Sequence, residues 1–456
     1  MSALEAALEK MRADGAQPVA VDTFRHYYER LEAGEAGLLR EDEIEPVADA
    51  PAFEDLDEPS DDEVRTALDE AVVLKLNGGL GTGMGMTKAK SLLEVKDGRT
   101  FLDVIVGQVL AMRESTGARV PLVLMNSFAT REDSLAALRC HEGIEADVPL
   151  DFVQNRVPKI RADDLMPVEW PANPEQEWAP PGHGDLYPAL VASGMLGALL
   201  ERGYRYAFVS NSDNLGATLD PRILEWMAGE EVPFVDEVAV RSEQDRKGGH
   251  LARRRGGGLV LREIAQTAEE DVPAVQDIDR HRFFNTNTMW VDLRALKVTL
   301  SEHGGVLPLP MIVNRKTVDP ADKSSPKVIQ LESAMAAAID VFEGAQALKV
   351  PKSRFAPVKT TDDLLLVRSD AYALTGEGHL ELVPRVPPLV ELDPEFFKLI
   401  DDFDARFAGG PPSLVGARHL RVEGDVSFGA GVVVKGEAVV KGPRRVEDGE
   451  VLDGSS

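Results

Sequence analysis

Short apolar runs alternate with helical stretches between about residue 70 and residue 365. Buried strands are indicated at Val72–Leu76, Val120–Met125 and Ala207–Val209, and helices near Phe101–Met112 and Glu132–Leu138. This alternation predicts an α/β fold with a mixed, mostly parallel sheet that has helices on both faces. Because such sheets bind ligands beyond the carboxyl ends of their strands, we expect the functional residues at that edge.

The segment before this region has a different pattern. Residues 1 to about 35 are helical in pattern, with Asp22 as a candidate N-cap before Phe24, Tyr27, Tyr28 and Leu31. From Glu41 to Asp62 the chain is acidic and contains several prolines. We interpret that stretch as an exposed linker or a loop wrapped over the surface.

A six-residue period appears after residue 415. It relates two sets of apolar residues and a pair of glycines: Leu420, Val426, Val432 and Ala438; Val422, Phe428, Val434 and Val440; and Gly436 and Gly442. Such a period is typical of a parallel β-helix, in which each side of the coil repeats its inward residue. A pair of plain β-hairpins is the alternative.

The charge of the chain limits its partners. Its 456 residues carry a formal net charge of −28. Because binding to duplex nucleic acid requires a basic face, we expect no nucleic-acid partner. The basic run Arg253-Arg254-Arg255 precedes three glycines and is interpreted as a solvated hairpin tip. A phosphate substrate would need a local group of lysines and a metal ion.

The single cysteine, Cys140, excludes an internal disulfide and any multi-cysteine metal site, and it suits a reducing cytosol. We predict that it is a buried small hydrophobe. No window approaches a membrane span and no apolar leader is present, so the sequence predicts a cytoplasmic protein without a membrane partner.

The most informative segment is the glycine-rich loop after the first predicted strand. Five glycines occupy eight positions from Gly78 to Gly85, and Lys88 and Lys90 follow. Bare backbone allows successive N–H groups to converge on phosphate oxygens while lysines supply charge, so we expect a nucleotide ligand. The spacing fits neither the P-loop nor the G-x-G-x-x-G fingerprint, and a flexible turn is the alternative.

From Leu76 to Lys90 the chain resembles the loop of nucleotidyltransferases that make nucleotide sugars, L-x-G-G-x-G-T-x-x-G-x-x-x-P-K, with Ala89 in place of the proline. Seven further stretches, in the same order, resemble the eukaryotic-type UTP–glucose-1-phosphate uridylyltransferases. They are residues 152–159 (FVQNRVPK), 178–187 (WAPPGHGDLY), 210–217 (SNSDNLGA), 261–266 (LREIAQ), 284–287 (FNTN), 329–332 (IQLE) and 353–361 (SRFAPVKTT).

The resemblance implies roles for individual residues. The residues implied to bind the nucleotide are Leu76, Asn77, Gly78, Gly79, Gly81, Thr82, Gly85, Gln154 and Gly182. Those implied to bind the sugar phosphate are His183, Asn211, Gly249, Glu263 and Asn287. Asp213 would be the metal ligand, and Lys90 and Lys359 would be the catalytic cations. Taken alone, Gln154 is an ordinary surface glutamine, Asp213 an Asx-turn cap and Lys359 a solvated lysine. On the sequence alone these alternatives stay open.

The resemblance also implies a fold and a reaction. We expect an N-terminal segment at 1–69, a Rossmann-like nucleotidyltransferase domain at 70–385 and a left-handed β-helix at 386–456 that can serve homo-oligomer contacts. UTP and glucose 1-phosphate would react with Mg²⁺ to give UDP-glucose and diphosphate. Thr288 stands where the family commonly has a second asparagine, so a UDP-N-acetylhexosamine or broad UDP-sugar pyrophosphorylase is one alternative. A catalytically silent nucleotide-sugar binding protein is another.

Overall fold

The structure is a computed structural model that describes residues 2–242, 245–246 and 248–455. Its α-helices are α1 (Ala3–Ala13), α2 (Pro18–Glu32), α3 (Asp61–Asp69), α4 (Phe101–Thr116), α5 (Arg131–Leu138), α6 (Leu186–Ala192), α7 (Met195–Glu201), α8 (Pro221–Gly229), α9 (Val272–Val275), α10 (Leu293–Glu302), α11 (Thr361–Arg368), α12 (Pro394–Phe397) and α13 (Ile400–Arg406).

The strands before residue 260 are β1 (Ile44–Pro46), β2 (Ala71–Asn77), β3 (Glu94–Lys96), β4 (Arg99–Thr100), β5 (Leu122–Asn126), β6 (Asp151–Val153), β7 (Val157–Pro158), β8 (Ile160–Arg161), β9 (Trp178–Ala179), β10 (Tyr206–Asn211), β11 (Phe234–Val240), β12 (His250–Arg254) and β13 (Leu259–Arg262). The later strands are β14 (Phe283–Asp292), β15 (Met311–Thr317), β16 (Lys327–Ser333), β17 (Gln346–Lys349), β18 (Tyr372–Leu374), β19 (Leu380–Leu382), β20 (Leu389–Leu392), β21 (Ala417–Glu423), β22 (Val426–Phe428), β23 (Val433–Lys441), β24 (Arg444–Val446) and β25 (Val451–Ser455).

The large central sheet has the order β1-β12-β14-β10-β2-β5-β6, with β13 beside β12, β11 beside β14 and β17 beside β11. Strands β10, β2, β5 and β6 run parallel, whereas β14 is antiparallel to both β10 and β11. The architecture is therefore mixed α/β with a parallel centre, which fits a Rossmann-like nucleotidyltransferase domain. The carboxyl ends of the four parallel strands meet at one edge.

Strand β2 is buried on both faces, as its continuous apolar run predicts. Val73 packs into one hydrophobic core with α4, while Val72 and Leu74 pack into a second core on the opposite face. Helix α4 begins at a capping box formed by Thr100 and Asp103, where the hydroxyl and the carboxylate satisfy backbone N–H groups of the first turn. Helices on both faces of the sheet are thus confirmed.

The C-terminal region pairs its strands in parallel. Strands β20, β21, β23 and β25 form one sheet, and β22 pairs with β24. Leu420 lies opposite Ala438 and Val422 opposite Val440, an offset of 18 residues that is three times the six-residue period. All four side chains are buried. Because hairpins pair antiparallel, the hairpin alternative is wrong for these strands.

Two local predictions are wrong. Asp22 is not an N-cap, because α2 already begins at Pro18, whose ring fixes a helical φ at the first turn. Asp22 lies inside the helix and accepts a hydrogen bond from Arg25. Cys140 is exposed rather than buried, because the chain leaves α5 at Leu138 and carries the thiol to the surface.

The acidic stretch from Glu41 to Asp62 lies on the surface, and part of it is ordered. Its strand β1 pairs antiparallel with β12, where Ile44 lies opposite Arg254. The triple-arginine run is at the tip of the β12–β13 hairpin, as predicted, although Arg254 is half-buried by its ion pair with Asp340 at 2.6 Å. Among the described residues, no helix combines the length and the apolar character needed to cross a membrane.

Candidate active site

The glycine-rich loop leaves β2 at the carboxyl edge of the sheet. Gly81 and Gly85 have left-handed backbone conformations, with φ of 64° and 78°, on either side of a short 3-10 turn that contains exposed Thr82. A Cβ added at Gly79 would meet open space, whereas a Cβ added at Gly85 would lie 3.1 Å from the side chain of Leu399 in the C-terminal region. The loop therefore exposes bare backbone on one side and is supported on the other.

Gln154 lies beside the start of this loop. It follows β6, and its N–H donates to the carbonyl of Asn126 at 2.8 Å. Its side-chain oxygen would lie 2.7 Å from a Cβ at Gly78, so a larger residue at position 78 would displace the Gln154 side chain from this position. Buried Asn77 donates its amide to Asn126 and Ser134, which fixes the ends of β2 and β5, and Leu76 is half-buried in β2.

Lys90 and Asp213 form an ion pair at this edge, with 2.6 Å between Nζ and Oδ2. Asp213 lies two residues past the end of β10, after half-buried Asn211. The Lys90 N–H donates to the carbonyl of Gly79 at 3.0 Å, which ties the lysine to the glycine loop. The structure thus brings together the glycine loop, the first predicted catalytic lysine and the predicted metal ligand.

The segment that carries Lys359 is bonded to the Asp213 loop. The Val358 N–H donates to the carbonyl of Asp213 at 3.1 Å, and the side chain of Asn214 accepts from the Ala356 N–H at 2.9 Å. Lys359 itself is exposed, and its Nζ lies 5.9 Å from the centre of the Phe355 ring. Its charge reaches Glu263, where it acts to lower the carboxyl pKa.

Three of the five predicted sugar-binding residues, Gly249, Glu263 and Asn287, form one cluster at the end of the β12–β13 hairpin. A Cβ at Gly249 would lie 2.5 Å from a carboxylate oxygen of Glu263. Burial raises the pKa of Glu263, although a hydrogen bond from Asn285 and the charge of Lys359 both act to lower it. Asn285 also donates to the side-chain oxygen of Asn287 at 3.1 Å.

Asn287 has a left-handed backbone conformation, with φ of 55°, at a point where the β11–β14 register shifts. Such a bulge redirects a side chain, and a non-glycine residue in this conformation stores strain. One such strained residue therefore lies at the predicted sugar site.

His183 lies in a loop packed against β16. Its Nδ1 accepts a hydrogen bond from the Met335 N–H at 3.1 Å, and burial lowers its pKa to about 4. The ring is therefore neutral at pH 7, with its proton on Nε2. Cβ atoms at Gly182 and Gly184 would collide with Ser333, at 2.4 and 2.3 Å, so these glycines are required for protein packing whether or not a ligand approaches.

Comparisons with known proteins identify the family of this chain. The family model described as UTP–glucose-1-phosphate uridylyltransferase matches residues 21–435. The chain belongs to this uridylyltransferase family. It is 42% identical to the potato (Solanum tuberosum) UTP–glucose-1-phosphate uridylyltransferase over 91% of this chain and 83% of that protein. The enzyme of Encephalitozoon cuniculi is 37% identical over 98% of this chain and 89% of its own length.

Solved structures of the uridylyltransferase family share the whole fold. A crystal structure of a Leishmania major UDP-glucose pyrophosphorylase variant in complex with UDP-glucose has a TM-score of 0.94 and 44% identity, and covers 100% of this chain and 99% of its own. The structure of a Trypanosoma brucei UDP-glucose phosphorylase has a TM-score of 0.89 and 46% identity, with 99% and 98% coverage. As a family member, the protein is a UTP–glucose-1-phosphate uridylyltransferase.

Several residues that support the candidate site were not predicted from the sequence. Asn285 belongs to a recognisable motif, but its position between Glu263 and Asn287 follows only from the bulge. Asn214 joins two segments that are far apart in sequence. Asp185 accepts hydrogen bonds from the N–H and the side-chain amide of Asn155, and its burial raises the carboxyl pKa to about 7.

Lys75 was also missed, because a lysine inside an apolar strand gives no sequence signal of its own. It is fully buried in β2, and its Nζ donates to the Ser210 hydroxyl at 2.6 Å and to the Ala217 carbonyl at 3.0 Å. Burial lowers its pKa to about 7. These bonds join the strand before the glycine loop to the loop of Asp213.

Proposed function

We propose that the protein forms UDP-glucose by direct attack of a phosphate oxygen of glucose 1-phosphate on the α-phosphorus of UTP. The new oxygen–phosphorus bond forms as the bond to the β-phosphate oxygen breaks, and diphosphate leaves with the electron pair. The observation that carries this proposal is the Lys90–Asp213 ion pair beside the glycine loop, on a loop that also anchors the Lys359 segment. No covalent enzyme intermediate is needed, because the nucleophile is already an anion.

UTP would lie along the carboxyl edge of the sheet. Its uracil would pair with Gln154, whose amide offers both a donor and an acceptor, and would lie near Gly182. Its phosphates would lie over Gly79 to Gly85, where bare backbone N–H groups can approach oxygen atoms. The close approach of Gly78 to Gln154 supports a base pocket continuous with the phosphate loop.

Glucose 1-phosphate would occupy the cluster of Gly249, Glu263 and Asn287. Carboxylate and amide groups suit sugar hydroxyls, and the neutral His183 can donate from Nε2 without adding a charge. Thr288 is fully buried between β10 and β11, so its replacement of the usual asparagine alters the interior rather than an exposed pocket wall. The support for glucose as the hexose comes from the family and its relatives, which are named for glucose 1-phosphate.

The two polyanionic substrates repel each other, so catalysis would rest on positioning and on cations at the reacting phosphorus. Lys90 would approach from the glycine loop, and Lys359 from the segment anchored to the Asp213 loop. Asp213 fits Mg²⁺ by its donor chemistry, since it is a half-buried carboxylate whose sequence neighbours Asn211, Ser212 and Asn214 are neutral. The ion would share this carboxylate with Lys90, which is paired with it at 2.6 Å. When bound there, Mg²⁺ would neutralise charge on the phosphates.

Three further assignments belong to this proposal. The parallel pairing at an offset of 18 residues supports a left-handed β-helix at the C-terminus. Homo-oligomer contacts through that domain stay a prediction. A cytoplasmic location is supported by the presence of one cysteine in 456 residues.

The experiment supplies purified protein with UTP, Mg²⁺ and glucose 1-phosphate and follows UDP-glucose and diphosphate. A panel of sugar 1-phosphates tests the hexose, and preference for another sugar would favour the broader pyrophosphorylase. Asp213→Asn should shift the Mg²⁺ titration to higher concentration, because a neutral amide binds the ion more weakly. An unchanged titration would remove Asp213 from its metal role, and nucleotide binding without turnover would support the silent binding protein.

A further inference from the structure

The acidic N-terminal segment reaches the back of the predicted sugar site. Leu39 donates its N–H to the carbonyl of Gln266 at 2.8 Å, and β1 pairs with β12. Glu41 lies between these two attachments, and its N–H donates to Asp271 at 2.8 Å. The segment is therefore fixed to the hairpin that ends in Gly249 and Glu263.

Glu41 contacts charged and aromatic side chains beneath that hairpin. Its carboxylate accepts from Arg262 at 2.5 Å, from Arg280 at 2.7 Å and from His281 at 3.1 Å. Arg262 is fully buried, and its Nε donates to Nε2 of His250 at 3.0 Å. The His250 ring packs against the His281 ring at a tilt of 31°, with 3.9 Å between centroids.

These contacts lie directly behind the predicted sugar cluster. Arg262 and His250 are cross-strand partners in the β12–β13 pair; Glu263 directly follows Arg262, and Gly249 directly precedes His250. Because successive strand residues point to opposite faces, Arg262 can contact Glu41 and His250 on one side while Glu263 and Gly249 approach each other on the far side.

A buried guanidinium needs a hydrogen-bonded carboxylate, since burying an unpaired charge is strongly unfavourable. Glu41 supplies that carboxylate from a segment about 220 residues earlier in the chain. A second connection runs through Gln266, whose side-chain oxygen accepts the Glu263 N–H at 3.1 Å while its carbonyl accepts from Leu39. The backbone at Glu263 is therefore held from two sides by the N-terminal segment.

We propose that Glu41 is a positioning residue for the hexose side of the reaction and that it acts through Arg262 and His250 on Glu263 and Gly249. The proposal rests on the assignment of Glu263 to the hexose under the proposed function. It gives the acidic N-terminal segment a role in substrate binding, because that segment fixes the sugar cluster without entering it. Small displacements of a positioning group are enough to change binding and turnover substantially.

The test measures KM for glucose 1-phosphate and for UTP separately. Glu41→Gln keeps the size of the side chain and removes its charge, so KM for glucose 1-phosphate should rise about tenfold while KM for UTP stays within about twofold. Glu45→Gln makes the same change at an exposed position of the same segment, and Arg280→Gln removes an ion pair of Glu41 but leaves its bond to Arg262. Both controls should leave the two KM values unchanged.

A double-mutant cycle with Glu263→Gln separates the possible failures. If Glu41 acts through Glu263, adding Glu41→Gln to Glu263→Gln should raise KM for glucose 1-phosphate by much less than tenfold; a full further rise would overturn the relay. A normal KM in Glu263→Gln alone would refute the hexose assignment and the proposal together. A raised KM in Glu263→Gln with a normal KM in Glu41→Gln would refute only the proposal.

A milder variant covers the case in which Glu41→Gln does not fold. Asp271→Asn weakens the bond that holds the Glu41 backbone, and thermal unfolding should show a folded protein. We expect a rise of about two- to threefold in KM for glucose 1-phosphate, because this variant keeps the Glu41 carboxylate and only loosens the backbone that positions it. A KM for glucose 1-phosphate equal to that of the parent would count against the proposal.

Discussion

Gly182→Ala tests whether the glycine before His183 serves protein packing. Gly182 has φ of 78° and ψ of 173°, a region that is essentially restricted to glycine, and this costs a side-chain residue about 1–3 kcal/mol. The new Cβ would also lie 2.4 Å from the carbonyl oxygen of Ser333, and overpacking of this kind costs about 1–3 kcal/mol. We therefore expect a loss of roughly 2–6 kcal/mol in unfolding free energy.

The matched control is Gly194→Ala. Gly194 has nearly the same φ, 77°, with ψ of 1°, but a Cβ there would meet nothing within 4 Å. This substitution should cost only the left-handed backbone penalty of about 1–2 kcal/mol. Urea unfolding of both variants, followed by fluorescence, gives the comparison through their midpoints.

Two results would refute the reasoning about Gly182. If Gly182→Ala and Gly194→Ala unfold at the same urea concentration, the collision with Ser333 does not occur or is relieved at no cost. If Gly182→Ala is as stable as Gly194→Ala but makes no UDP-glucose, the glycine serves ligand approach rather than packing. The expected result is a larger loss of stability together with reduced turnover, because the displaced loop carries His183.

Three further predictions concern the site. Lys359→Ala should lower kcat by about 10² to 10³ without changing the melting temperature, because Lys359 is exposed and acts on the transition state. The control is Lys323→Ala, which removes another exposed lysine. Near-normal turnover of Lys359→Ala would contradict its catalytic role. Asn287→Gly should leave the unfolding free energy nearly unchanged, since about 1 kcal/mol of relieved backbone strain offsets the lost hydrogen bond from Asn285. The same variant should lower kcat/KM for glucose 1-phosphate, and normal kinetics would argue against contact between Asn287 and the sugar. The pKa of Asp185 is about 7 in the folded protein and about 3.9 when unfolded, so wild-type stability falls as pH rises between those values. Asp185→Asn should therefore gain up to about 4 kcal/mol relative to wild type from pH 4 to pH 7, and parallel urea midpoints across that range would contradict the raised pKa.

The sequence predicted the central architecture well where the signal was local. The continuous apolar runs identified β2, β5 and β10 to within one or two residues, and the six-residue period identified the parallel pairing of the C-terminal strands. The errors arose where tertiary context decides the outcome. Asp22 has an N-cap side chain, but Pro18 had already begun the helix, and Cys140 has a core-type side chain on a segment that the fold places at the surface.

The glycine loop after β2, the order of the motifs and the place of Asp213 just past β10 follow from the sequence alone, because backbone conformation and strand burial depend on local residue type and spacing. Which of these groups contact one another depends on the three-dimensional packing. The Lys90–Asp213 pair joins residues 123 positions apart, and the contact of Glu41 with Arg262 spans 221. Such pairings depend on how the strands are ordered and how the N-terminal segment wraps the sheet, and the spacing of residues along one chain does not specify that packing.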